Sequence, residues 1–342
     1  MLLWYNLRMQ QLPFFVRSIE YSIKQAFIKY HDADNLLERI TEEYRNKYIT
    51  DNDEKLLGLF FKTDVSQEDL DKFLSEWDIE EEGAHKALML AYFMKKHPEL
   101  KYPQYVEPRL NGLLKYFKYR NLRQMSYFKK ICRAIKQKNV DIMIIKGGSL
   151  RFYNPDYPRI MGDIDILVGD ENYKTAVDTA LSFGYKYFAF EHSVDIYDPN
   201  LGFLVDIHRK LNMQTISDIK FNEDVFKRAH KEKVFDVDDI YVPCPEDVMF
   251  ILLINLNKDL AQHTATNNFL YYIADSMFLL NLKPDFNWDI VKETVIKTNS
   301  KLHIALAIHF LNRFVPVKLP ELFADEFREI CMSFLYDELN GI

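Results

Sequence analysis

The order of apolar and polar positions predicts a chain that is helical at both ends and carries strands only in its middle. Apolar residues at helical spacing, among them Phe14, Ile19 and Ile23, indicate helices through residues 1–105. From Pro245 onward the same spacing predicts further helices over Glu246–Asn257, Phe269–Leu280, Trp288–Lys297, Leu302–Phe314 and Glu321–Glu338. We therefore expect two helical regions with a sheet between them.

The middle of the chain contains short apolar runs bounded by turn residues, which is the pattern of strands. The predicted strands are Ile142–Ile145, Asp163–Val168, Tyr185–Phe190, His192–Tyr197 and Phe203–His208. Residues 109–139 predict one or two helices ahead of the first strand, Ser149–Tyr153 a short helix, and residues 171–183 another.

These elements predict an α+β fold, a small mixed β-sheet flanked by N-terminal and C-terminal helical regions. Changes of pattern along the chain predict three regions. These are a helical region at 1–108, a core with leading basic helices at 109–240, and a second helical region at 241–342.

Acidic side chains interrupt two of the predicted strands. Asp163 and Asp165 stand at i and i+2, so they point to the same face of their strand. In Phe203–His208 the same alternation places Leu204, Asp206 and His208 on one face. If the two strands pair, Asp206 joins the other aspartates. Clustered carboxylates of this kind suit a hard divalent cation, which prefers oxygen ligands.

A glycine turn separates the first predicted strand from the short helix that follows. Backbone N–H groups of Gly147, Gly148 and Ser149 could cradle a phosphate at this helix start. A structural explanation stands beside this one, in which glycine relieves strain in the turn and Ser149 caps the helix. Both can hold together. A phosphate cradle beside a carboxylate metal site is the combination that nucleotidyl transfer needs.

The segment resembles the nucleotidyltransferase superfamily of DNA polymerase beta, whose signature is a Gly-Gly or Gly-Ser turn followed by Asp-apolar-Asp. Within it the chain looks like the uncharacterised nucleotidyltransferase family proteins, which carry Lys-Gly, Arg, Asp-apolar-Asp and a later acid-apolar-His. The matching residues here are Lys146-Gly147, Arg159, Asp163-Ile164-Asp165 and Asp206-Ile207-His208. The turn departs from the broad superfamily pattern at Gly147, where an apolar residue is usual.

The resemblance implies an Mg²⁺-dependent enzyme that moves a nucleoside monophosphate from an NTP, ATP among the candidates, to a hydroxyl or phosphate acceptor. Two Mg²⁺ ions, with Mn²⁺ able to substitute, would be held by Asp163, Asp165 and Asp206. Asp206 would also accept the proton of the attacking hydroxyl. The nucleotide would be bound by Lys146, Gly147, Gly148, Ser149, Arg159 and His208.

Structural explanations of the same residues stay open. Asp-x-Asp pairs often cap turns or lie on exposed strand edges, and Lys146 at a strand end is often only solvated. Arg159 could serve only to pair with Asp163 or another acid, and His208 could be a half-buried histidine bonded within the sheet.

Net charge and composition limit which partners and which cellular location the sequence favours. The net charge of −7 argues against indiscriminate nucleic-acid binding, yet residues 108–140 hold ten basic residues and no acid. RNA is therefore an acceptor to consider but not the favoured one; a protein side chain and a small molecule are the others. Three widely spaced cysteines, no signal-peptide pattern and no apolar run of membrane-spanning length predict a cytoplasmic protein that does not associate with membranes.

Two other functions fit the same pattern. The fold could persist without catalysis, as a module that binds a nucleotide or a partner protein, although the presence of all three acids argues against this. The chain could also belong to a toxin–antitoxin type pair, in which a nucleotidyltransferase modifies a cognate protein. The pattern of residues leaves the choice of NTP and of acceptor open.

Overall fold

The computed structural model describes residues 35–78, 82–190, 192–200, 202–211, 219–262, 269–329 and 332. Two compact units share these residues. One unit takes the described residues up to Thr50, those within Asn212–Phe221 and those from Pro245 onward, and the other takes Asp51–Leu211 and Asn222–Cys244. The predicted helical spacing before residue 35 and the end of the predicted last helix lie outside the described residues. The three-region division at residues 108 and 240 stays a prediction.

The elements alternate between helices and strands only in the middle of the chain. The helices are α1 (Leu36–Tyr48), α2 (Asp51–Phe61), α3 (Gln67–Glu76), α4 (Ala84–Lys96), α5 (Glu107–Lys136), α6 (Gly147–Tyr153), α7 (Asp170–Leu181), α8 (Ile219–Arg228), α9 (Pro245–Gln262), α10 (Phe269–Leu282), α11 (Trp288–Lys297) and α12 (Lys301–Leu311). The strands are β1 (Ile142–Ile145), β2 (Asp163–Val168), β3 (Lys186–Ala189), β4 (Ser193–Asp198), β5 (Phe203–His208), β6 (His230–Val234) and β7 (Val237–Val242).

The strands form one mixed sheet in the order β3-β4-β5-β2-β1-β7-β6. Strand β2 pairs antiparallel with β1 and parallel with β5, and β4 pairs antiparallel with both β3 and β5. The long connection between β2 and β5 includes α7, as a parallel pairing requires. The α+β prediction, with its small mixed sheet and helical flanks, is confirmed.

Alternation gives the sheet two chemically different faces. Ile164, Ile166, Val205 and Ile207 point to one face, where they pack with the buried side of α5 into a common core. Their neighbours in sequence, the aspartates and His208, therefore point to the opposite face. We call this opposite side of β2, β5, β4 and β3 the acidic face. Burial of the first face fixes the register, because a one-residue slip would turn the isoleucines outward.

The hairpin of β6 and β7 is absent from the strand prediction. Four of the five residues of β6 are exposed, so the strand has no apolar alternation to detect. Its turn contains Phe235 and Asp236 at φ 47° and 65°, where hairpins usually place Asn-Gly or Asp-Gly. Neither the strand nor the turn therefore carries the usual sequence signal.

The other unit is a group of packed helices. Tyr48 of α1 stacks on Phe269 of α10 with ring centroids 4.5 Å apart. At the start of α9, the fully buried Glu246 carboxylate accepts a hydrogen bond from Lys283 at 2.5 Å and from the Asn287 N–H at 3.2 Å. Among the described residues, no helix combines the length and the apolar character that crossing a membrane requires.

Candidate active site

Three aspartates lie side by side on the acidic face, one on each of three neighbouring strands. Asp206 of β5 pairs in register with Asp165 of β2 on one side and with Asp195 of β4 on the other. Adjacent strands are about 4.8 Å apart, so this row brings three carboxyl groups into a span of roughly 10 Å. Asp165 and Asp206 are 4% and 7% exposed, whereas Asp195 is half-buried.

His208 connects the two inner aspartates. Its Nε2 lies 3.0 Å from Asp165 Oδ1 and 2.8 Å from Asp206 Oδ2, and the side chain is 1% exposed. Burial and the nearby Lys146 charge lower the pKa of His208, but its hydrogen bonds to both carboxylates outweigh them and raise it above the usual value. The imidazole thus lies between two carboxylates. Its Nδ1 is buried without a hydrogen-bond partner.

Lys146 reaches the same carboxylates from the end of β1. Its ammonium donates a hydrogen bond to Asp165 Oδ1 and lies 3.2 Å from His208 Nε2. Burial opposes the charge, yet Asp165 and Asp206 raise the pKa of Lys146 above its ordinary value. The same ammonium and the His208 hydrogen bond outweigh burial at Asp165 and hold its pKa low.

The backbone of Lys146 is strained. With φ 52° and ψ −130°, it adopts a conformation that side chains other than glycine rarely take. Such strain costs of order 1–3 kcal/mol and persists where the surroundings enforce it, often at functional sites. The sharp strand-to-helix turn aims the ammonium at the acidic face.

The two glycines after Lys146 have packing reasons to be glycine. A Cβ on Gly148 would lie 2.6 Å from Ile144 Cγ1, and one on Gly147 would lie 2.9 Å from Nε of Arg159. The missing side chain at Gly147 therefore lets the Arg159 guanidinium lie against the turn. Arg159 also lies close enough to Asp163 to lower its pKa in part.

Ser149 is fully buried, and its hydroxyl donates to the Ile144 carbonyl oxygen at 3.4 Å. The first N–H groups of any helix lack intrahelical partners, so those of Gly147 and Gly148 are the donors that α6 presents. The assignment of Ser149, Gly147 and Gly148 to nucleotide binding stays a prediction.

Asp163 stands about 7 Å from Asp165 along β2, on the same face, and is exposed. The negative charges of Asp165 and then of Asp206 raise the pKa of Asp163 to about 6. A cation bound nearby would stabilise the ionised form of such a carboxyl group.

Asp195 is a residue of this cluster that the sequence analysis missed. Burial, then the charge of Asp206, raises its pKa to about 7. The available signal was the alternation in Ser193–Asp198, which places Asp195 between the core residues Val194 and Ile196 just as Asp206 stands between Val205 and Ile207. The next strand in this row, β3, places the exposed Phe188 opposite Asp195.

The donor set fits a divalent cation. Asp165, Asp206 and His208 each offer a ligand atom, and these atoms lie within 4.8 Å of one another. Asp206 Oδ1 is buried and has no hydrogen-bond partner, a costly state for a carboxylate oxygen unless something binds it. The predicted set of Asp163, Asp165 and Asp206 stays a prediction, and His208 lies within the same cluster.

A family model described as "Uncharacterised nucleotidyltransferase" matches residues 84–316, which is more than half of the chain. The protein belongs to this nucleotidyltransferase family. The match begins at the first residue of α4 and includes the whole sheet, so it contains every residue of the acidic cluster. The resemblance drawn from the Lys-Gly turn and the two acidic motifs is confirmed.

Solved structures of nucleotidyltransferases are similar at a distance. The antibiotic-resistance factor ANT(2'')-Ia is 11% identical with a TM-score of 0.38, and the match covers 52% of this chain and 92% of that one. An antigenic nucleotidyltransferase-like protein from Paracoccidioides brasiliensis is 13% identical with a TM-score of 0.33, over 54% and 92% of the two chains. No curated protein matches this sequence.

Proposed function

We propose that this family member is an active, divalent-metal-dependent nucleotidyltransferase. It would transfer a nucleoside monophosphate from an NTP to a hydroxyl or phosphate oxygen of an acceptor and release pyrophosphate. The observation that carries the proposal is the buried cluster of Asp165, Asp206 and His208, in which Asp206 Oδ1 has no partner. The ligand atoms of Asp165 and His208 lie within 4.8 Å of that of Asp206, so one cation bound there could satisfy the open oxygen.

The cation in this proposal is Mg²⁺, two ions by family resemblance, with Mn²⁺ able to substitute. Asp163, Asp165 and Asp206 would hold it, with His208 at the side of the cluster. When bound, such ions lower the pKa of the attacking oxygen and neutralise charge on the leaving pyrophosphate. The short distances among the oxygen and nitrogen ligand atoms support this role.

The donor phosphates would lie on the Lys146 side of the site. Lys146 and Arg159 both border the glycine turn at which α6 begins. The Lys146 ammonium, bound to Asp165 in this structure, would exchange that carboxylate for a phosphate oxygen. Its high pKa keeps it charged for either partner.

The acceptor would approach from the Asp206 and Asp195 side. Its oxygen would attack the α-phosphorus, and the bond from that phosphorus to the bridging oxygen of pyrophosphate would break. Asp206 would take the proton that the acceptor hydroxyl loses. Burial raises the pKa of Asp206, but the His208 hydrogen bond outweighs it and holds the pKa low, so the carboxylate is ionised.

The test measures nucleotide binding and transfer separately. Thermal unfolding of the whole protein is followed with ATP, GTP, CTP or UTP, each with and without Mg²⁺. At one hundred times Kd, a nucleotide would stabilise the protein by about 2.7 kcal/mol. We expect metal-dependent stabilisation by at least one nucleotide and its loss in Asp163→Asn/Asp165→Asn.

The matched control is Asp178→Asn/Asp238→Asn, which removes two carboxylates from exposed positions of the same unit. Circular dichroism checks that each variant is folded. If no nucleotide stabilises the wild type, the proposal fails. If a nucleotide binds but no labelled NMP is transferred to any protein, metabolite or RNA acceptor, the non-catalytic binding module is the better description.

A further inference from the structure

Eight of the ten basic residues of residues 108–140, all except Arg109 and Lys138, fall into two groups along α5. In the C-terminal half of α5 they contact neighbouring elements. Lys129 pairs with Asp236 at 2.9 Å, Arg133 donates to the Asp236 carbonyl oxygen, and Lys130 donates to the Tyr185 hydroxyl at 3.0 Å. Lys136 lies 3.6 Å from Asp141. This half of the basic run holds α5 against the sheet.

The N-terminal half is different. Lys115, Lys118, Arg120 and Arg123 form no salt bridge with the part of the chain that the structure describes. Lys115, Lys118 and Arg123 are exposed. Lys118 lies near enough to Asp156 to lower its pKa, whereas the charges of Lys115 and Arg123 have no acidic partner among the described residues and are available to a ligand.

Exposed aromatic side chains interleave with these charges. Tyr116 and Tyr119 are 60% and 62% exposed, and Leu122 is 56% exposed. Tyr116, Tyr119 and Arg123 stand at i, i+3 and i+7, which places them on one stripe of the helix. The Arg123 guanidinium lies over the Tyr119 ring at 5.9 Å and the Phe203 ring at 5.5 Å. We call Tyr116, Tyr119 and Arg123, together with Lys115 and Lys118 on the adjoining flank of the helix, the basic-aromatic stripe.

The stripe lies at the end of the sheet where the acidic cluster begins. Tyr127 contacts Ile196 of β4, and Lys136 lies near the start of β1, so α5 runs along the sheet toward its opposite end. Residues before 123 therefore extend past the end where β1 stops and β2 and β5 start. Phe203, under Arg123, is the first residue of β5 and points to the core face, whereas Asp206, three residues later, points to the acidic face.

A groove borders the stripe. It has a volume of about 460 Å³ and is lined by Arg109, Gly112, Leu113 and Tyr116 of α5, Ala84 and Ala87 of α4, and Glu82, whose carboxylate pairs with Lys86. Its lining is mainly apolar apart from Arg109 and Glu82. A planar ring fits beside Tyr116 in a space of this size.

We propose that the basic-aromatic stripe binds single-stranded RNA. Lysine and arginine side chains neutralise phosphates, and tyrosine rings stack on unpaired bases. An acidic protein surface would match the basic residues but would leave the exposed tyrosines without a role. A membrane would need more exposed apolar side chains than Leu122 alone. The alternation of charge and rings favours the polynucleotide.

The experiment measures binding of a fluorescein-labelled, mixed-sequence 15-nucleotide RNA to the full chain by fluorescence anisotropy, without NTP or metal. We compare Lys115→Gln/Lys118→Gln/Arg123→Gln with Lys174→Gln/Lys227→Gln/Lys233→Gln, which removes the same charge from exposed sites of the same unit. The stripe variant is expected to lose at least tenfold in affinity. Its slope of log K against log salt should fall by about 2, since each phosphate contact contributes about 0.7.

A second variant separates stacking from charge. Tyr116→Ala/Tyr119→Ala should weaken RNA binding at least tenfold, because stacking on one ring contributes about 1–3 kcal/mol. Its salt slope should equal that of the wild type. The proposal would be overturned if the stripe variant and the Lys174→Gln/Lys227→Gln/Lys233→Gln variant weakened RNA binding equally. It would also be overturned if the wild type bound no RNA at 50 mM salt and about 50 µM protein. Because nucleotide stabilisation is measured without RNA, it stays intact if only the RNA proposal fails.

Discussion

Asp195 lies directly opposite Asp206 on the antiparallel pair of β4 and β5. The pairing explains why the pKa of Asp195 rises to about 7, first through burial and then through the Asp206 charge. The acidic face is therefore wider than the motif residues alone indicate. Its outer carboxyl group lies on the side from which an acceptor would approach Asp206.

Replacement of Asp195 should affect the acceptor more than the nucleotide. We expect Asp195→Asn to lower kcat/KM for transfer about tenfold, about 1.4 kcal/mol, while nucleotide-dependent stabilisation is kept. The physical reason is that Asp195 borders Asp206 but lies outside the group of Asp165, Asp206 and His208. Transfer kinetics and thermal shifts check this, with Asp238→Asn as control. Loss of nucleotide binding would place Asp195 on the donor side instead.

Backbone strain at Lys146 can be measured separately from its charge. Lys146→Ala and Lys146→Gly both remove the ammonium, but only glycine adopts φ 52° without strain. We expect the free energy of unfolding of the glycine variant, measured with urea, to exceed that of the alanine variant by about 1 kcal/mol. Both variants should lose metal-dependent NTP binding. Equal stabilities of the two variants would show that the turn relaxes when the side chain is removed.

Two neighbouring aromatic residues on β3 give a matched pair for the acceptor side. Phe188 and Tyr187 are 59% and 57% exposed, and Phe188 stands opposite Asp195 whereas Tyr187 stands opposite the core residue Ile196. Only Phe188 is thus on the acidic face. We expect Phe188→Ala to raise the acceptor KM about fivefold and Tyr187→Ala to leave it unchanged. The NTP KM should stay constant in both variants. Equal effects would assign the loss to the edge strand as a whole.

The helical unit should lose stability in mild acid because of His303. Burial lowers the pKa of this residue to about 4, whereas an unfolded chain protonates histidine near 6.5. Between these values the unfolded state binds more protons, so the free energy of unfolding falls as pH falls from about 6.5 to 4. At pH 5 the contribution is about 2 kcal/mol.

Urea unfolding at pH 7 and pH 5 measures this loss. His303→Leu should reduce the difference between the two pH values by about 2 kcal/mol. The exposed His230→Gln is the control for a changed histidine count. A wild-type difference that persists in His303→Leu would assign the acid sensitivity to other groups.

The sequence by itself determined the elements that carry the site. The strands Ile142–Ile145, Asp163–Val168 and Phe203–His208 are predicted with their observed bounds, because burial on a fixed face requires strict alternation. The same alternation places Asp163 and Asp165 on one face of β2, and it places Asp206 and His208 on one face of β5. The family follows from the Lys-Gly turn and the acidic motifs, which are local patterns.

Tertiary structure alone decided what lies beside what. Strand order and register put Asp195 next to Asp206 and brought His208 between two carboxylates, and no local pattern encodes pairing between distant strands. The strain at Lys146 and the hairpin around Phe235 and Asp236 also depend on the surroundings, since neither has the glycine that such backbone usually requires. The division of one uniform basic run into packed and available halves follows from where α5 leaves the sheet. Local propensity acts within a few residues, whereas these relationships arise from contacts across the whole unit.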